Sequence, residues 1–190
     1  GAGTVDFYNG SGQRQETGAF VRKFIAYVPQ GNTLFSGTVR ENLQMGREDA
    51  SEEELWAALK LASGENFVRS LPEGLDTVIG SSGTRLSGGQ AQRLALARTL
   101  AHPRPVLVLD DPFSALDRNT EDTVFANLQE YAKDKVVFLI SHRLYHFPQM
   151  RSVVFMEDGK TTVGTHGELM ASVPVYRQLY ESQTGGQAHE

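Results

Sequence analysis

The sequence predicts an α/β fold built on a mostly parallel sheet. Val106 to Leu109 are four consecutive aliphatic residues followed by Asp110 and Asp111, and Val136 to Ile140 form a second continuous apolar run. The continuous rather than alternating run Val106 to Leu109 is typical of a strand buried on both faces of a parallel sheet. From Arg40 to Ala101 the pattern is instead helical. We therefore expect strands before and after a helical region.

The order of these patterns divides the chain into three parts and a tail. Residues 1–30 combine short β segments with a Gly/Gln/Ser-rich stretch, Gly10 to Gly18, that is typical of a hairpin loop. Residues 31–101 form the helical part, and residues 102–184 contain the later strands. Residues 185–190 are rich in Gly and Gln, which predicts a disordered tail.

Two helix starts stand out in the helical part. Ser51 and Glu54 form a capping box ahead of the apolar residues Leu55, Trp56, Ala58 and Leu59. Further on, Ser87 is a good N-cap for a helix that runs from Gln90 to about Ala101.

The residues Gly88 and Gly89, between this cap and its helix, indicate an anion site. Their backbone N–H groups lie at the positive end of the helix dipole, and the missing Cβ atoms allow a phosphate to approach. An ordinary glycine-softened cap is the alternative. It is disfavoured because each glycine in the first turn costs up to about 1 kcal/mol relative to alanine.

Asp110 is predicted to emerge at the carboxyl end of a buried strand. Ligands bind at this edge of open α/β sheets, and a carboxylate there is well placed to orient Mg²⁺, usually through water. A solvated acid at a strand end is an equally good interpretation of this residue taken alone.

The last part of the chain shows a hairpin and a closing helix. Asp158-Gly159 is a strong type I′ turn signal within the hairpin Ser152 to Gly164. An amphipathic pattern follows Pro174.

Five motifs together make the chain resemble the ATP-binding cassette (ABC) ATPases, which have a P-loop NTPase fold. Singly, a Gln after Pro indicates a turn and a lone His a structural role, but the motifs occur in the family's order. They are the Q-loop glutamine Gln30, the signature Leu86-Ser87-Gly88-Gly89-Gln90, the Walker B strand ending at Asp110, the D-loop Ser114-Ala115-Leu116-Asp117, and the switch histidine His142.

The resemblance implies a role for each of these residues. Ser87, Gly88, Gly89 and Gln90 would bind the nucleotide across a dimer interface, and Asp117 would link the two nucleotide sites. Asp110 and Gln30 would hold Mg²⁺. Gln30, Asp111 and His142 would be the catalytic residues, with Asp111 beside the attacking water and His142 at the γ-phosphate. The cofactors would be ATP and Mg²⁺.

The lysine-bearing phosphate loop of this family does not occur in these residues. No Gly-x-x-x-x-Gly-Lys-[Ser/Thr] is present, and Gly3 to Gly10 resembles the small hairpin that follows that loop. We expect a partial ABC ATPase domain, truncated at its N-terminus and lacking the P-loop strand, and inactive as an isolated fragment. Because that strand pairs next to Val136 to Ile140, its absence would expose an apolar edge and destabilise the fragment.

Two segments resemble the exporter branch of the family. They are Leu34 to Leu43, where exporters meet the coupling helices of their membrane half, and Gly159 to Leu169. Within Thr77 to Gly83, a serine, Ser81, stands where exporters usually have glutamate. The resemblance implies a transmembrane domain as partner and a location at the cytoplasmic face of the plasma (inner) membrane, through a membrane domain absent from this chain.

Asp111 departs from the family in a way that bears on mechanism. Active members usually have glutamate there, and aspartate is one methylene shorter, which withdraws the carboxylate by about 1.5 Å. Misplacement by about 1 Å can cost roughly a hundredfold in rate. We expect a slow site in one half of a heterodimeric bacterial exporter, whose intact signature completes the active site of a second nucleotide-binding domain.

Composition excludes several other classes. The chain has no cysteine, which excludes a disulfide framework or a thiolate zinc site, and its apolar runs are too short to cross a bilayer. A net charge of −5 without charged blocks disfavours a nucleic-acid surface. Two alternatives stay open: a non-transport ABC ATPase of the DNA-repair or chromosome type, and a non-catalytic regulatory module.

Overall fold

The computed structural model describes residues 7–8, 11–15, 19–31, 33–80 and 83–185. The chain divides into two compact units, Gly1–Ile140 and Ser141–Glu190. None of the helices in the described ranges is long and apolar enough to span a membrane.

The first unit combines strands with a group of helices. Its strands are, in chain order, β1 (Phe7–Tyr8), β2 (Arg14–Gln15), β3 (Ile25–Val28), β4 (Gly37–Thr38), β5 (Val78–Ile79), β6 (Val106–Asp110) and β7 (Val136–Ile140). Its helices are α1 (Val39–Gln44), α2 (Glu52–Leu61), α3 (Glu65–Arg69), α4 (Gly88–Leu100) and α5 (Arg118–Tyr131), with 3-10 helices at Ala19–Phe24 and Gly74–Asp76.

The main sheet is parallel, in the order β3-β6-β7, which confirms the predicted fold class. Leu107 and Leu109 of the central strand β6 are buried, whereas Val106 and Val108 are only half-buried. The prediction of burial on both faces is therefore only partly correct. Successive side chains of a strand point to opposite faces, so one face of β6 is covered more fully than the other.

Strand β7 is the outer strand of this sheet within the described residues, and it is largely exposed. Val136 is 54%, Phe138 57% and Ile140 52% accessible. These alternate residues share one face of the strand, so this outer strand of the described sheet exposes an apolar face as well as its edge.

Capping boxes set the starts of the helices in the middle of the chain. The predicted box of Ser51 and Glu54 begins α2, and a second box of Ser87 and Gln90 begins α4 at Gly88. In each box the serine hydroxyl accepts from the N3 amide, and the N3 side chain accepts from the serine N–H, so two otherwise unpaired donors of the first turn are satisfied.

Three local predictions for the first unit are corrected by the structure. Strands β4 and β5 pair antiparallel inside the region predicted as helical. Strand β2 lies within the stretch Gly10 to Gly18 predicted as a loop, where it pairs with β1. Helix α5 lies between β6 and β7, where the sequence predicted only strands. The pairing of β4 with β5 joins residues about 40 apart, which local periodicity does not report, whereas β1 and β2 are two-residue strands of a local hairpin, too short to show an alternating pattern.

The second unit contains the predicted hairpin and closing helix. Strands β8 (Val153–Glu157) and β9 (Lys160–Gly164) pair antiparallel, and Asp158 and Gly159 between them have φ of 47° and 75°, as a type I′ turn requires. Helix α6 (His166–Ser172), which the sequence did not predict, precedes α7 (Pro174–Thr184). Of the predicted tail, residues 186–190 lie outside the described residues.

Four buried side chains form the core of this unit. They are Leu144, Val153, Leu169 and Tyr176. Tyr176 also bonds through its hydroxyl to Nδ1 of His166 at 2.8 Å, so its polar end is satisfied while its ring is fully buried.

Candidate functional site

The N-terminus of α4 presents the predicted anion site. Ser87 Oγ accepts from the Gln90 N–H at 3.2 Å, and Gln90 Oε1 accepts from the Ser87 N–H at 2.9 Å. The side chain of Gln90 therefore closes the capping box. The amides of Gly88 and Gly89 lie in the first turn of a 13-residue helix, where the helix dipole favours an anion.

The two glycines differ in what surrounds them. A Cβ at Gly89 would lie 2.9 Å from the Ala115 carbonyl oxygen, whereas one at Gly88 would meet only the Ala115 Cβ, at 3.6 Å. Gly89 is thus required by the close approach of the turn after β6. The space beside Gly88 remains open to a ligand.

The signature and the D-loop share one cleft. It has a volume of about 410 Å³ and is lined by Ser87, Gly88, Gly89, Arg93, Ala115, Leu116, Asp117 and Thr120. The structure therefore brings together four of the predicted nucleotide-binding residues, and an open cleft that ends at helix-terminal amides suits a phosphate.

Arg93 is a cleft residue that the sequence analysis missed. Its guanidinium donates from Nη1 to the Ser63 carbonyl at 2.7 Å and from Nε to the Gly89 carbonyl at 3.2 Å. Burial lowers the pKa of Arg93 from its ordinary value. Its position one turn after Gly89 on the same helix is the sequence signal that places it here.

Asp117 has a local partner in the chain itself. It is the N-cap of α5, and its carboxylate accepts from the Thr120 N–H at 3.0 Å and from the Thr120 hydroxyl at 2.7 Å. The first of these bonds, followed by the second, lowers the pKa of Asp117. The residue is therefore a capping carboxylate exposed at the edge of the cleft.

A second cluster of predicted residues lies at the carboxyl edge of the main sheet. Gln30 follows β3 and Asp110 ends β6, and these neighbouring parallel strands bring the two together. Gln30 Nε2 donates to Asp111 Oδ2 at 3.4 Å. Tyr27, which the sequence analysis missed, donates its hydroxyl to Asp110 Oδ2 at 3.1 Å, and this bond raises the pKa of Tyr27.

This cluster fits a magnesium ion shared with a phosphate ligand. The carboxylates of Asp110 and Asp111 and the amide of Gln30 offer the oxygen ligands that Mg²⁺ takes. Within the described ranges no group of three His, Cys, Asp or Glu side chains forms a metal cage.

The backbone of Asp111 is unusual. Its φ is 49°, in the left-handed region that non-glycine residues rarely adopt, and the residue is only 6% exposed. Its N–H donates to the Ile140 carbonyl at 2.8 Å, which fixes the start of the turn to the end of β7.

His142 belongs to the second unit. It is exposed there, and its carbonyl accepts from Gln183 Nε2 at 2.8 Å. The structure thus groups Gln30 with the two aspartates and the signature glycines with Asp117, and it describes His142 separately from both clusters.

Parts of the segments Leu34 to Leu43 and Thr77 to Gly83 lie side by side. They form a groove of about 460 Å³ lined by Leu34, Phe35, Ser36, Ile79, Gly80, Thr84, Arg85, Leu86 and Ala91. Ser81, the serine in place of glutamate, lies outside the described residues. Leu86 joins this groove directly to the signature.

Comparison with known proteins identifies the family. Residues 2–114 match the family described as "ABC transporter". A "Probable multidrug resistance ABC transporter ATP-binding/permease protein" of Bacillus subtilis is 41% identical over 164 residues, which cover 86% of this chain and 28% of that protein. A solved bacterial Atm1-family ABC exporter with ATP bound has a TM-score of 0.80 and 34% identity, covering 90% of this chain and 30% of the exporter chain.

These relatives are longer proteins, and the chain spans less than a third of their length. Its fold, its clustered motifs and the family match over more than half of its residues all indicate the same family. The chain therefore belongs to the ABC transporter family and has the α/β fold of its ATPase domain.

Proposed function

We propose that this chain is the ATP-binding domain of a multidrug-type ABC exporter, in which binding and hydrolysis of MgATP drive export across a membrane. The convergence of Gln30, Asp110 and Asp111 at one edge of the parallel sheet carries the proposal. The names of the relatives, an ATP-binding/permease protein and an exporter, support it.

The motifs and the cluster at the sheet edge support a role for each residue in the proposed chemistry. Asp110 and Gln30 would hold Mg²⁺, which would supply positive charge to neutralise the phosphates. Asp111 would orient the attacking water, and the role proposed for His142, contact with the developing charge on the γ-phosphate, rests on its motif. Phosphoryl transfer depends on positioning and electrostatic stabilisation more than on covalent chemistry, and these residues would contribute to both.

The nucleotide site is composite. Ser87 and Gly88 bind the γ-phosphate of a nucleotide held by a second ABC domain, and Asp117 lies at the junction. The open space beside Gly88 supports this role, since the cleft leaves room for a ligand from outside the chain.

The chain's own site is slow, and its partner is a different subunit. Asp111 is buried and pinned by its backbone, so its short carboxylate has little freedom to reach further toward a water. The intact signature then serves a partner that supplies a glutamate. This arrangement describes one half of a heterodimeric exporter with a transmembrane domain, acting at the cytoplasmic face of the membrane.

Turnover of the full-length transporter tests the proposal. Asp111→Glu is expected to raise ATP turnover at this site, by up to about a hundredfold if reach is what limits it. Ser87→Arg is expected to lower turnover because it blocks the partner's site, and the exposed Ser182→Ala serves as a control. Unchanged turnover in Asp111→Glu contradicts the slow site, and transport by a homodimer of this subunit contradicts the heterodimer.

A further inference from the structure

Gln92 connects the signature helix to the turn that carries Asp111. It lies in the second turn of α4 and is 8% exposed. Its Nε2 donates to the Asp111 carbonyl at 3.1 Å and to Ser114 Oγ at 2.9 Å. Its Oε1 accepts from the Ala115 N–H at 2.8 Å. The buried side-chain amide of Gln92 thus makes all three of these hydrogen bonds to a single turn, Asp111–Ala115.

These hydrogen bonds stabilise the backbone conformation of Asp111, which is energetically unfavourable without them. A non-glycine residue at a φ of 49° persists only where its surroundings fix it. At Asp111 the N–H is bonded to Ile140, while the carbonyl accepts from Gln92 and, at 3.3 Å, from the Ser114 hydroxyl. Of these partners only Gln92 belongs to the signature helix.

The same helix bears the phosphate-facing amides at its N-terminus. Ser87 and Gln92 are separated by little more than one turn of continuous α-helix, so a displacement of the first turn moves the Gln92 amide with it. Because three hydrogen bonds join Gln92 to the turn Asp111–Ala115, this displacement moves the turn as well.

We propose that Gln92 is a positioning residue that couples the two composite nucleotide sites within this chain. Engagement of the signature by the partner's nucleotide fixes α4, and Gln92 transmits that position to the backbone of Asp111. The inference rests on the proposed function, because it needs the signature to serve one site and Asp111 to serve the other.

Turnover measured in the Asp111→Glu background makes the chain's own site visible. Gln92→Met keeps the length of the side chain and removes all three hydrogen bonds. We expect the gain in kcat produced by Asp111→Glu to shrink about tenfold or more, because the carboxylate is misplaced, with KM for ATP changed by less than about twofold. Gln44→Met is the matched control, because Gln44 Nε2 also donates to a backbone carbonyl, that of Ala50 at 3.1 Å, away from this turn.

Two results separate the inference from the proposed function. If Asp111→Glu gives no gain, the slow site is wrong. If the gain occurs and survives Gln92→Met, Gln92 does not position the carboxylate and the inference is overturned.

Amide hydrogen exchange at Ala115 in the full-length transporter tests the coupling without turnover. A non-hydrolysable ATP analogue with Mg²⁺ is expected to slow this exchange about tenfold in the parent and in Gln44→Met, because α4 becomes fixed. The slowing is expected to disappear in Gln92→Met. An equal slowing in Gln92→Met overturns the inference even if the turnover experiment shows no gain.

Discussion

Two helical glycines of this chain have opposite surroundings. A Cβ at Gly89 would press on the Ala115 carbonyl oxygen at 2.9 Å, whereas a Cβ at Gly167 in α6 would meet nothing within 4 Å. Both positions are helical, so alanine improves the intrinsic propensity at both. Comparing the alanine variants at Gly89 and Gly167 therefore measures the contact between α4 and the turn Asp111–Ala115.

Gly89→Ala is expected to lower the free energy of unfolding by about 1–3 kcal/mol, the usual cost of overpacking. Gly167→Ala is expected to raise it by about 0.4–1 kcal/mol, because alanine restricts the unfolded chain. Urea unfolding followed by circular dichroism measures both. Stabilisation by Gly89→Ala would show that the turn moves aside freely.

Asp117 predicts a pH dependence of stability. Its carboxylate accepts two bonds from Thr120, the backbone bond being the larger cause, and they lower its pKa in the folded chain. The unfolded value is about 3.9. The charged cap therefore contributes its full stabilisation above that pH, and the contribution is lost as pH falls through the lower folded pKa.

Asp117→Asn retains a good N-cap without the charge. The difference in unfolding free energy between parent and variant is expected to stay constant from pH 7 to about pH 5 and to shrink below about pH 4. Urea titrations at these pH values measure it. A difference that does not change at low pH would mean that the charge of Asp117 contributes nothing.

At the scale of elements, the capping box of α2 makes a measurable contribution. Ser51→Ala removes the hydroxyl that accepts from Glu54 N and is expected to cost about 1 kcal/mol. Ser182→Ala is the matched control, because the Ser182 hydroxyl only donates to the Leu179 carbonyl within α7. Equal losses of unfolding free energy in the two variants would refute the capping contribution.

Elements with local signals were predictable from the sequence. The capping box at Ser51, the N-cap at Ser87 and the turn at Asp158-Gly159 depend on neighbouring residues, and the structure contains all three. The pairing of Gly37 with Ile79 joins residues of different segments, so periodicity gave no sign of it. Such pairing partners can be identified only from the folded structure.

The candidate site divides in the same way. Gln30 and Asp111 were proposed from their motifs, and the structure places their side chains 3.4 Å apart. Tyr27 and Gln92 were missed because each acts through a partner that is distant in sequence. The residues that neighbour a tyrosine in a strand or a glutamine in a helix do not indicate which distant residue its side chain contacts.

For the whole molecule, the exposed strand β7 predicts self-association of the 190-residue chain. An outer strand with apolar side chains and unpaired backbone groups is a template for pairing with a second copy. Phe138→Lys is expected to reduce association strongly, because a charge on an edge strand opposes pairing. Analytical ultracentrifugation over a concentration series measures the change.

Val175→Lys provides the control for this experiment. Val175 is 46% exposed on α7, so the variant removes comparable exposed apolar area without touching a strand edge. We expect its association to match that of the parent. If both variants associate equally weakly, general hydrophobicity rather than the edge of β7 is responsible.

Strands β3 and β6 pair with each other, but the ribosome synthesises β3 well before β6. Gln30 and Asp111, just after these strands, are 81 residues apart. At about 5–20 residues per second, a ribosome needs roughly 4–16 seconds to make the second strand after the first. Helices α1 to α4 are translated in that interval and are built on local contacts, which form quickly. The segment that bears the signature is therefore free to acquire its shape on the ribosome before β6 is available to pair with β3.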